Sequence, residues 1–251
     1  MIPGATINGH RLEEFGCYLS KRKVDLVPVT RDIEVTIPGR PGVYDFRTEH
    51  SKRQLTLSLS FVADSRSALQ ANLRAFARVV DPTQGYIPLI FDDEPDKVYR
   101  VKVTQEIATT YLPTIAQFDL TLKMADPFIY AAQPTSVTKA MEPGDHMAVT
   151  NAGTASTGML ISISPVADGV VVNPSVTVGA VTVTWTGSIA SGQTLHIDTE
   201  GYTIDLSGVN AMAGWTGDWP QLAPGDNTLI FQAGVGSSAA QLTVSFTARF
   251  V

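Results

Sequence analysis

The chain has 251 residues, of which 44% are hydrophobic, and a formal charge of −6. Such a length allows one large or two ordinary domains, and the composition is typical of globular proteins. The acidic balance argues against a nucleic-acid partner, because nucleic acid binds basic surfaces. No run of about 18 apolar residues occurs, so the sequence predicts no membrane-spanning helix and no direct membrane insertion.

The charged residues are distributed unevenly about residue 130. Residues 1–130 hold 16 of the 18 Lys and Arg residues and 16 of the 24 Asp and Glu residues, so their formal charges cancel. The rest of the chain holds 2 basic and 8 acidic residues, a net charge of −6. This contrast predicts two domains, 1–130 and 146–251. Residues 131–145 are interpreted as a linker, because they contain two prolines and a glycine without periodicity.

The first half predicts an α+β domain, a sheet or sandwich with one main helix. Residues 54–62 and 117–124 alternate apolar and polar side chains as half-buried strands do, and 33–37 and 98–103 are shorter versions. A helix is predicted over about 65–80, where Leu, Leu, Phe and Val form one apolar stripe. Asp64 or Ser65 can cap its N-terminus.

From residue 146 onward the pattern is all-β, so the chain as a whole is predicted to be mainly β. Short apolar segments alternate with Gly, Pro, Asn and Asp turns, which is typical of a β-sandwich. The candidate strands are 159–164, 176–178, 181–186, 194–198, 202–206, 228–233 and 240–250.

Signatures of catalysis or of metal and cofactor binding are missing from the sequence. It has no phosphate-binding Gly-rich loop, no zinc-protease motif, no nucleophile elbow and no pair of cysteines. The carboxylates of residues 92–96 could bind Ca²⁺, but their spacing favours a solvated hairpin turn. No pair of carboxylates stands out for glycoside hydrolysis. We therefore predict that the protein is not an enzyme and uses no cofactor.

Two tryptophans, Trp215 and Trp219, are candidate ligand or partner contacts. Aromatic rings of this kind stack on sugars in lectins, and they also fill the edge of a sandwich core. The sequence favours the core interpretation, because no convergent set of polar side chains accompanies them.

Several turns and strand ends, taken in order, resemble the distal tail proteins of long-tailed, non-contractile bacteriophages. In the first half the similar stretches are residues 37–42, 54–62, 65–80, 89–96, Tyr99 and 125–130. In the second half they are residues 151–154, 195–198 and 219–227, which resemble the galectin-like C-terminal sandwich of that family. The resemblance spans nearly the whole chain. It rests on the order in which these stretches occur, since each one alone is a common turn or strand end.

The resemblance implies a structural virion protein at the tail tip, assembled in the host cytoplasm. The first domain would form a hexameric ring that joins the tail tube to the hub, and the second would carry host-recognition components. The implied partners are further copies of the chain, the tail tube protein, the hub protein, the tape measure protein and receptor-binding proteins. The alternative is a lectin-like module that binds carbohydrate during adsorption to the host surface.

Residues 38–53 are the candidate contact between subunits of the ring. The segment combines aromatic and arginine side chains, which are enriched at protein interfaces. The alternative is a flexible hairpin loop without a partner. The candidate interface residues are Arg40, Tyr44, Phe46, Arg47 and Arg53.

Overall fold

The computed structural model of the chain describes residues 4–104 and 107–251. The chain divides into two compact units, one up to Ala132 and one from Gln133 to Phe250. Most of the regular structure in both units is strand, and a single α-helix occurs among the described residues. The mainly β architecture with one helix, as predicted from the sequence, is confirmed.

The first unit is built on one large antiparallel sheet and a separate two-stranded hairpin. Seven strands of the sheet follow the order β2-β1-β7-β8-β10-β6-β3, with β9 beside β10 and β11 beside β8. The elements are β1 (Ala5–Ile7), β2 (His10–Arg11), β3 (Cys17–Val24), β4 (Thr30–Val35), β5 (Tyr44–His50), β6 (Arg53–Val62), α1 (Arg66–Val79), β7 (Ile87–Phe91), β8 (Lys97–Val103), β9 (Thr110–Tyr111), β10 (Ile115–Met124) and β11 (Ile129–Ala131).

Helix α1 covers the apolar face of this sheet, as its stripe of apolar residues predicts. Ser65 caps the helix, since its hydroxyl accepts a hydrogen bond from the Ala68 backbone N–H at 3.2 Å. Leu69 and Phe76 are fully buried. The Phe76 ring packs edge-on against Phe61 of β6, with 5.2 Å between the ring centroids. The alternate apolar side chains of β6 and β10 therefore form one core with the helix.

The second unit is a β-sandwich of a six-stranded and a five-stranded sheet. Their orders are β12-β24-β14-β19-β20-β21 and β13-β23-β16-β17-β22, and β15 pairs with β18. The strands are β12 (Thr135–Met141), β13 (His146–Asn151), β14 (Leu160–Pro165), β15 (Val171–Val172), β16 (Ser175–Val178), β17 (Val181–Trp185), β18 (Ser188–Ile189), β19 (Leu195–Asp198), β20 (Thr203–Leu206), β21 (Val209–Asn210), β22 (Trp215–Gly217), β23 (Gly225–Gln232), β24 (Ala240–Phe246) and β25 (Arg249–Phe250).

A single apolar cluster lies between the two sheets of the sandwich. Ile161 and Val244 come from the six-stranded sheet, and Val176 and Phe231 come from the five-stranded sheet. Their strands alternate buried and exposed positions, which explains why the sequence pattern predicts these strands well.

The interpretation of residues 131–145 as a linker is wrong for its central part. Residues 135–141 form β12, which pairs along its whole length with β24. The strand lies at the edge of its sheet, and Met141 is its one fully buried residue. An edge strand with a single buried residue shows almost no alternation of buried and exposed side chains. Its formation therefore depends on hydrogen bonds to the partner strand.

The single cysteine, Cys17, is buried in the first unit, as expected for a small apolar residue. Burial raises the pKa of its thiol to about 12, with a smaller contribution from Glu13. The thiol is therefore protonated at neutral pH and unreactive.

Candidate functional site

Strands β4 and β5 form a hairpin that pairs with no other strand among the described residues; we call residues 30–50 the arm. Its strands align from Thr30 opposite His50 to Val35 opposite Tyr44. Gly39 and Gly42 take positive φ angles of 83° and 86° in the connecting turn, a conformation that glycine adopts without strain. Nearly every side chain of the arm is exposed, and an isolated two-stranded hairpin is only marginally stable in water.

Three charged side chains of the arm pair with one another. Glu49 accepts a hydrogen bond from Arg31 at 2.6 Å and forms an ion pair with Arg47 at 2.5 Å. The Arg31 hydrogen bond is the main cause of the lowered pKa of Glu49, and the charge of Arg47 adds to it. The guanidinium of Arg40 lies over the Tyr44 ring, 4.5 Å from its centroid.

Large apolar side chains remain exposed on the arm and on residues 25–29, which we call the root segment. Phe46 on the arm is 68% exposed and Leu26 in the root segment is 90% exposed. Large apolar side chains exposed this densely in two short segments point to an interaction site. The exposed apolar residues of the two regions are Leu26, Val27, Val29, Val35, Ile37, Val43, Tyr44 and Phe46.

The expectation that Arg53 is an exposed interface residue is wrong, because its side chain is only 1% exposed. Strand β6 begins at Arg53, one residue earlier than the sequence pattern predicts, and Arg53 shares the buried face with Leu55. The structure brings Arg40, Tyr44, Phe46 and Arg47 together on the arm and leaves Arg53 beneath the surface.

The root segment is not predicted from the sequence as a candidate contact. Its Leu-Val-Pro-Val run has neither the period of a strand nor that of a helix, because Pro28 interrupts it. The signal that could have identified it is the presence of three aliphatic side chains in a segment without secondary structure.

In the second unit, Trp215 and Trp219 stack on each other with ring centroids 5.3 Å apart and an interplanar angle of 13°. Both rings are partly buried and pack against the sandwich core. Tyr202 meets Trp219 edge-to-face at 5.6 Å, so Trp219 has aromatic neighbours on two sides. This arrangement favours a packing role for the tryptophans, since a sugar needs an open ring face.

Tyr202 is the most exposed ring of this group, at 57%. It has a φ of 54°, which is unusual for a residue with a side chain. Asp198 holds the turn before it by accepting hydrogen bonds from the backbone N–H groups of Glu200 and Gly201, each at 2.9 Å.

The acidic residues of the 92–96 turn all have partners, which explains the turn without a metal ion. Their partners are Arg11 for Asp92 at 2.8 Å, Arg22 for Asp93 at 2.9 Å, the Tyr99 hydroxyl for Glu94 at 2.7 Å and Lys97 for Asp96 at 3.0 Å. Across residues 4–104 and 107–251, no group of three or more His, Cys, Asp or Glu side chains is placed to hold a metal ion. Within the same residues, no helix has the length and apolar character needed to cross a membrane.

Comparison with known proteins agrees with this architecture. The family described as phage tail protein RIFT-related domain matches residues 11–124, and the family described as siphovirus-type tail component, C-terminal domain, matches residues 152–250. The crystal structure of the Dit protein of phage SPP1 has the same fold, with a TM-score of 0.78 and 15% identity over all of both chains. The chain belongs to the siphovirus distal tail protein family.

The SPP1 Dit protein is described as a paradigm of the hub adsorption apparatus of phages that infect Gram-positive bacteria. A chain of the phage p2 baseplate, in its activated conformation with strontium, aligns over the full length of both chains at 8% identity, but its TM-score is only 0.47. No curated protein matches the chain. The family membership makes the chain a structural component of a phage tail.

Proposed function

We propose that the chain forms a hexameric ring at the distal end of the tail tube, joins the tube to the hub and carries host-recognition components. Its partners in this proposal are further copies of itself, the tail tube protein, the hub protein, the tape measure protein and receptor-binding proteins. It would assemble in the host cytoplasm and remain at the tail tip of the virion. The role is structural and requires no catalytic group.

The observation that carries the ring is the exposed apolar surface of the arm. Arg31, Arg47 and Glu49 balance one another's charge within the arm. The exposed Phe46 and Tyr44 then offer aromatic anchors of the kind that dominate binding energy at interfaces. In a ring of identical subunits, the partner that covers the arm is a second copy of the chain.

The charge balance of the first unit supports a closed ring. A ring repeats one head-to-tail contact between different surfaces of neighbouring subunits. Because the formal charges of residues 1–130 cancel, six such units add no net charge that would oppose closure.

For the second unit we propose contacts with protein rather than with sugar. Its two basic side chains are already engaged, since Arg249 pairs with Glu200 and Lys139 donates to the His146 carbonyl oxygen at 2.7 Å. Neither basic side chain is left for a partner's carboxylates, so we expect shape, backbone edges and apolar side chains to contribute to the contacts. The aromatic group around Trp219 is part of the fold in this proposal.

The ring is tested by sedimentation of the purified chain, which should give a species of about six times 26.9 kDa. The combined Tyr44→Ala, Phe46→Ala and Arg47→Ala variant should stay folded and sediment as smaller species. Each truncation at a true anchor costs about 2 kcal/mol or more of binding free energy. The control variant combines Arg66→Ala, Arg78→Ala and Tyr86→Ala, which are exposed side chains outside the arm. An unchanged ring in the arm variant would place the subunit contact elsewhere.

A further inference from the structure

Arg53 is a buried cation that forms no ion pair with any residue the structure describes. Its Nε atom has no hydrogen-bond partner among the described residues, and its Nη2 atom lies 3.5 Å from the Leu26 carbonyl oxygen, at the limit for a hydrogen bond. Burial lowers the pKa of the guanidinium, and the nearby Tyr99 and Asp25 oppose this effect only in part. An unpaired buried charge is strongly unfavourable, so this site would gain stability from an anionic partner.

The carboxylates of the nearby 92–96 turn are already engaged. Glu94 accepts the hydrogen bond of the Tyr99 hydroxyl at 2.7 Å, and Asp93 is paired with Arg22. Asp25 is different: it is half-buried and makes no ion pair or hydrogen bond with any of the residues that the structure describes. It lies close enough to Arg53 to affect the guanidinium electrostatically.

Asp25 also begins the root segment, in which three aliphatic side chains are uncovered. Leu26, Val27 and Val29 are all exposed, while the backbone is tied to the end of the arm by a 2.6 Å hydrogen bond from the Ser51 N–H to the Val29 carbonyl oxygen. The root segment therefore joins the base of the arm directly. A neighbouring subunit that covers the base of the arm would also contact the root segment.

We propose that Asp25 and Arg53 form an ion pair that closes when a second copy of the chain covers the root segment. This inference rests on the proposed ring. Covering Leu26, Val27 and Val29 removes water from Asp25, and a desolvated carboxylate is stabilised by a nearby guanidinium. The pair thus positions the root segment in the assembled state, and association closes a contact between Asp25 and Arg53 that is open in the free subunit.

A double-mutant cycle on association tests the ion pair. The variants of the full chain are Asp25→Asn, Arg53→Met and the two combined, and their association constants come from sedimentation over a range of concentrations. Each single variant should weaken association about tenfold or more, which corresponds to about 1.4 kcal/mol. The combined variant should be no weaker than the weaker single variant, because both changes remove the same interaction.

Two further measurements separate this role from a purely structural one. The unfolding free energy of dilute Arg53→Met subunits should not fall, because an apolar side chain of similar volume removes an unpaired buried charge. Arg53→Lys keeps the charge and should retain most of the association. The control pair, Asp64→Asn and Arg66→Met at the start of α1, should leave association unchanged.

The outcomes distinguish this inference from the ring itself. If the wild-type chain assembles and the losses from Asp25→Asn and Arg53→Met simply multiply, no such pair forms and the ring stands. A fall in subunit stability that matches the loss of association would also overturn the pair, since it would make Arg53 a structural residue. A wild-type chain that stays monomeric at every concentration would overturn the ring and the pair together.

Discussion

The arm and the aromatic edge of the sandwich both carry surface rings, but the two regions hold them differently. Phe46 is exposed and makes no ring contact with other described residues, whereas Trp215 and Trp219 stack on each other and on the core. The aromatic rings at the sandwich edge are thus largely covered by other side chains of the same subunit. The arm leaves that surface uncovered, so only another molecule can bury it.

The same contrast extends to the charges of the two units. In the first unit, basic and acidic side chains pair within the arm and around the 92–96 turn. In the second unit, eight acidic side chains face only two basic ones. In the proposed function, the balanced charges of the first unit suit a ring, whereas the second unit has no spare basic side chain to offer a partner.

The largest expected effect comes from Leu69→Asp, which would separate the folding of the two units. An unpaired carboxylate buried against the sheet should destabilise the first unit by more than about 4 kcal/mol. All three tryptophans lie in the second unit, so tryptophan fluorescence reports the sandwich alone. We expect the helical circular dichroism to disappear while the fluorescence transition persists.

Ala71→Asp, an exposed position on the same helix, is the matched control and should retain the helical signal. Wild-type melting of Leu69→Asp would contradict the packing of α1 on the sheet.

The next effect concerns β12 and the boundary between the units. A fragment of residues 133–251 should fold alone, because it contains every strand of both sandwich sheets. A fragment of residues 142–251 lacks β12 and leaves one edge of β24 unpaired. We expect it to be less stable by about 2–5 kcal/mol, the range for losing a buried side chain such as Met141.

Urea unfolding of the two fragments, followed by tryptophan fluorescence, measures this difference. Equal midpoints and slopes would indicate that β12 adds no stability to the sandwich, which is the behaviour expected of a linker.

The elements that could be predicted from the sequence are those whose own side chains alternate. β6, β10 and α1 each place apolar residues on one face over two or more turns or pleats, so a local pattern determines them. β12 could not be predicted in this way, because most of its side chains are exposed and β24 supplies its hydrogen bonds. Long-range pairing of this kind leaves little trace in the strand itself.

The candidate site was predictable to the same extent. The mixture of aromatic and arginine residues identifies the arm, and Arg40, Tyr44, Phe46 and Arg47 are on it. Arg53 is predicted as an interface residue only because it closes the 38–53 segment, whereas it shares the odd-numbered parity of Leu55, Leu57 and Leu59. Parity along the strand, rather than the polarity of the neighbours, indicates which residues are buried.

A smaller effect is expected from Trp219→Ala at the sandwich edge. Loss of a partly buried ring that stacks on Trp215 should destabilise the second unit by about 1–3 kcal/mol, less than a fully buried tryptophan. The full chain should show no retention on immobilised galactose, glucose or cell-wall glycans, and the variant should behave identically. Binding of the wild type that Trp215→Ala or Trp219→Ala abolishes would instead favour the lectin-like alternative.

The smallest effect concerns the ion pairs of the arm and is visible as a titration. The Arg31 hydrogen bond and the charge of Arg47 lower the pKa of Glu49 from its ordinary value of 4.5. Because the folded pKa is depressed, the contribution of these pairs is present above pH 4.5 and is lost as the pH falls through the lower folded value. Carbon-13 NMR of the Glu49 carboxyl should therefore give a midpoint below 4.5. Arg31→Met should move the midpoint upward more than Arg47→Met does, because Arg31 is the larger cause. The reverse order would mean that Arg47 is the principal partner and that the arm is organised around its second strand.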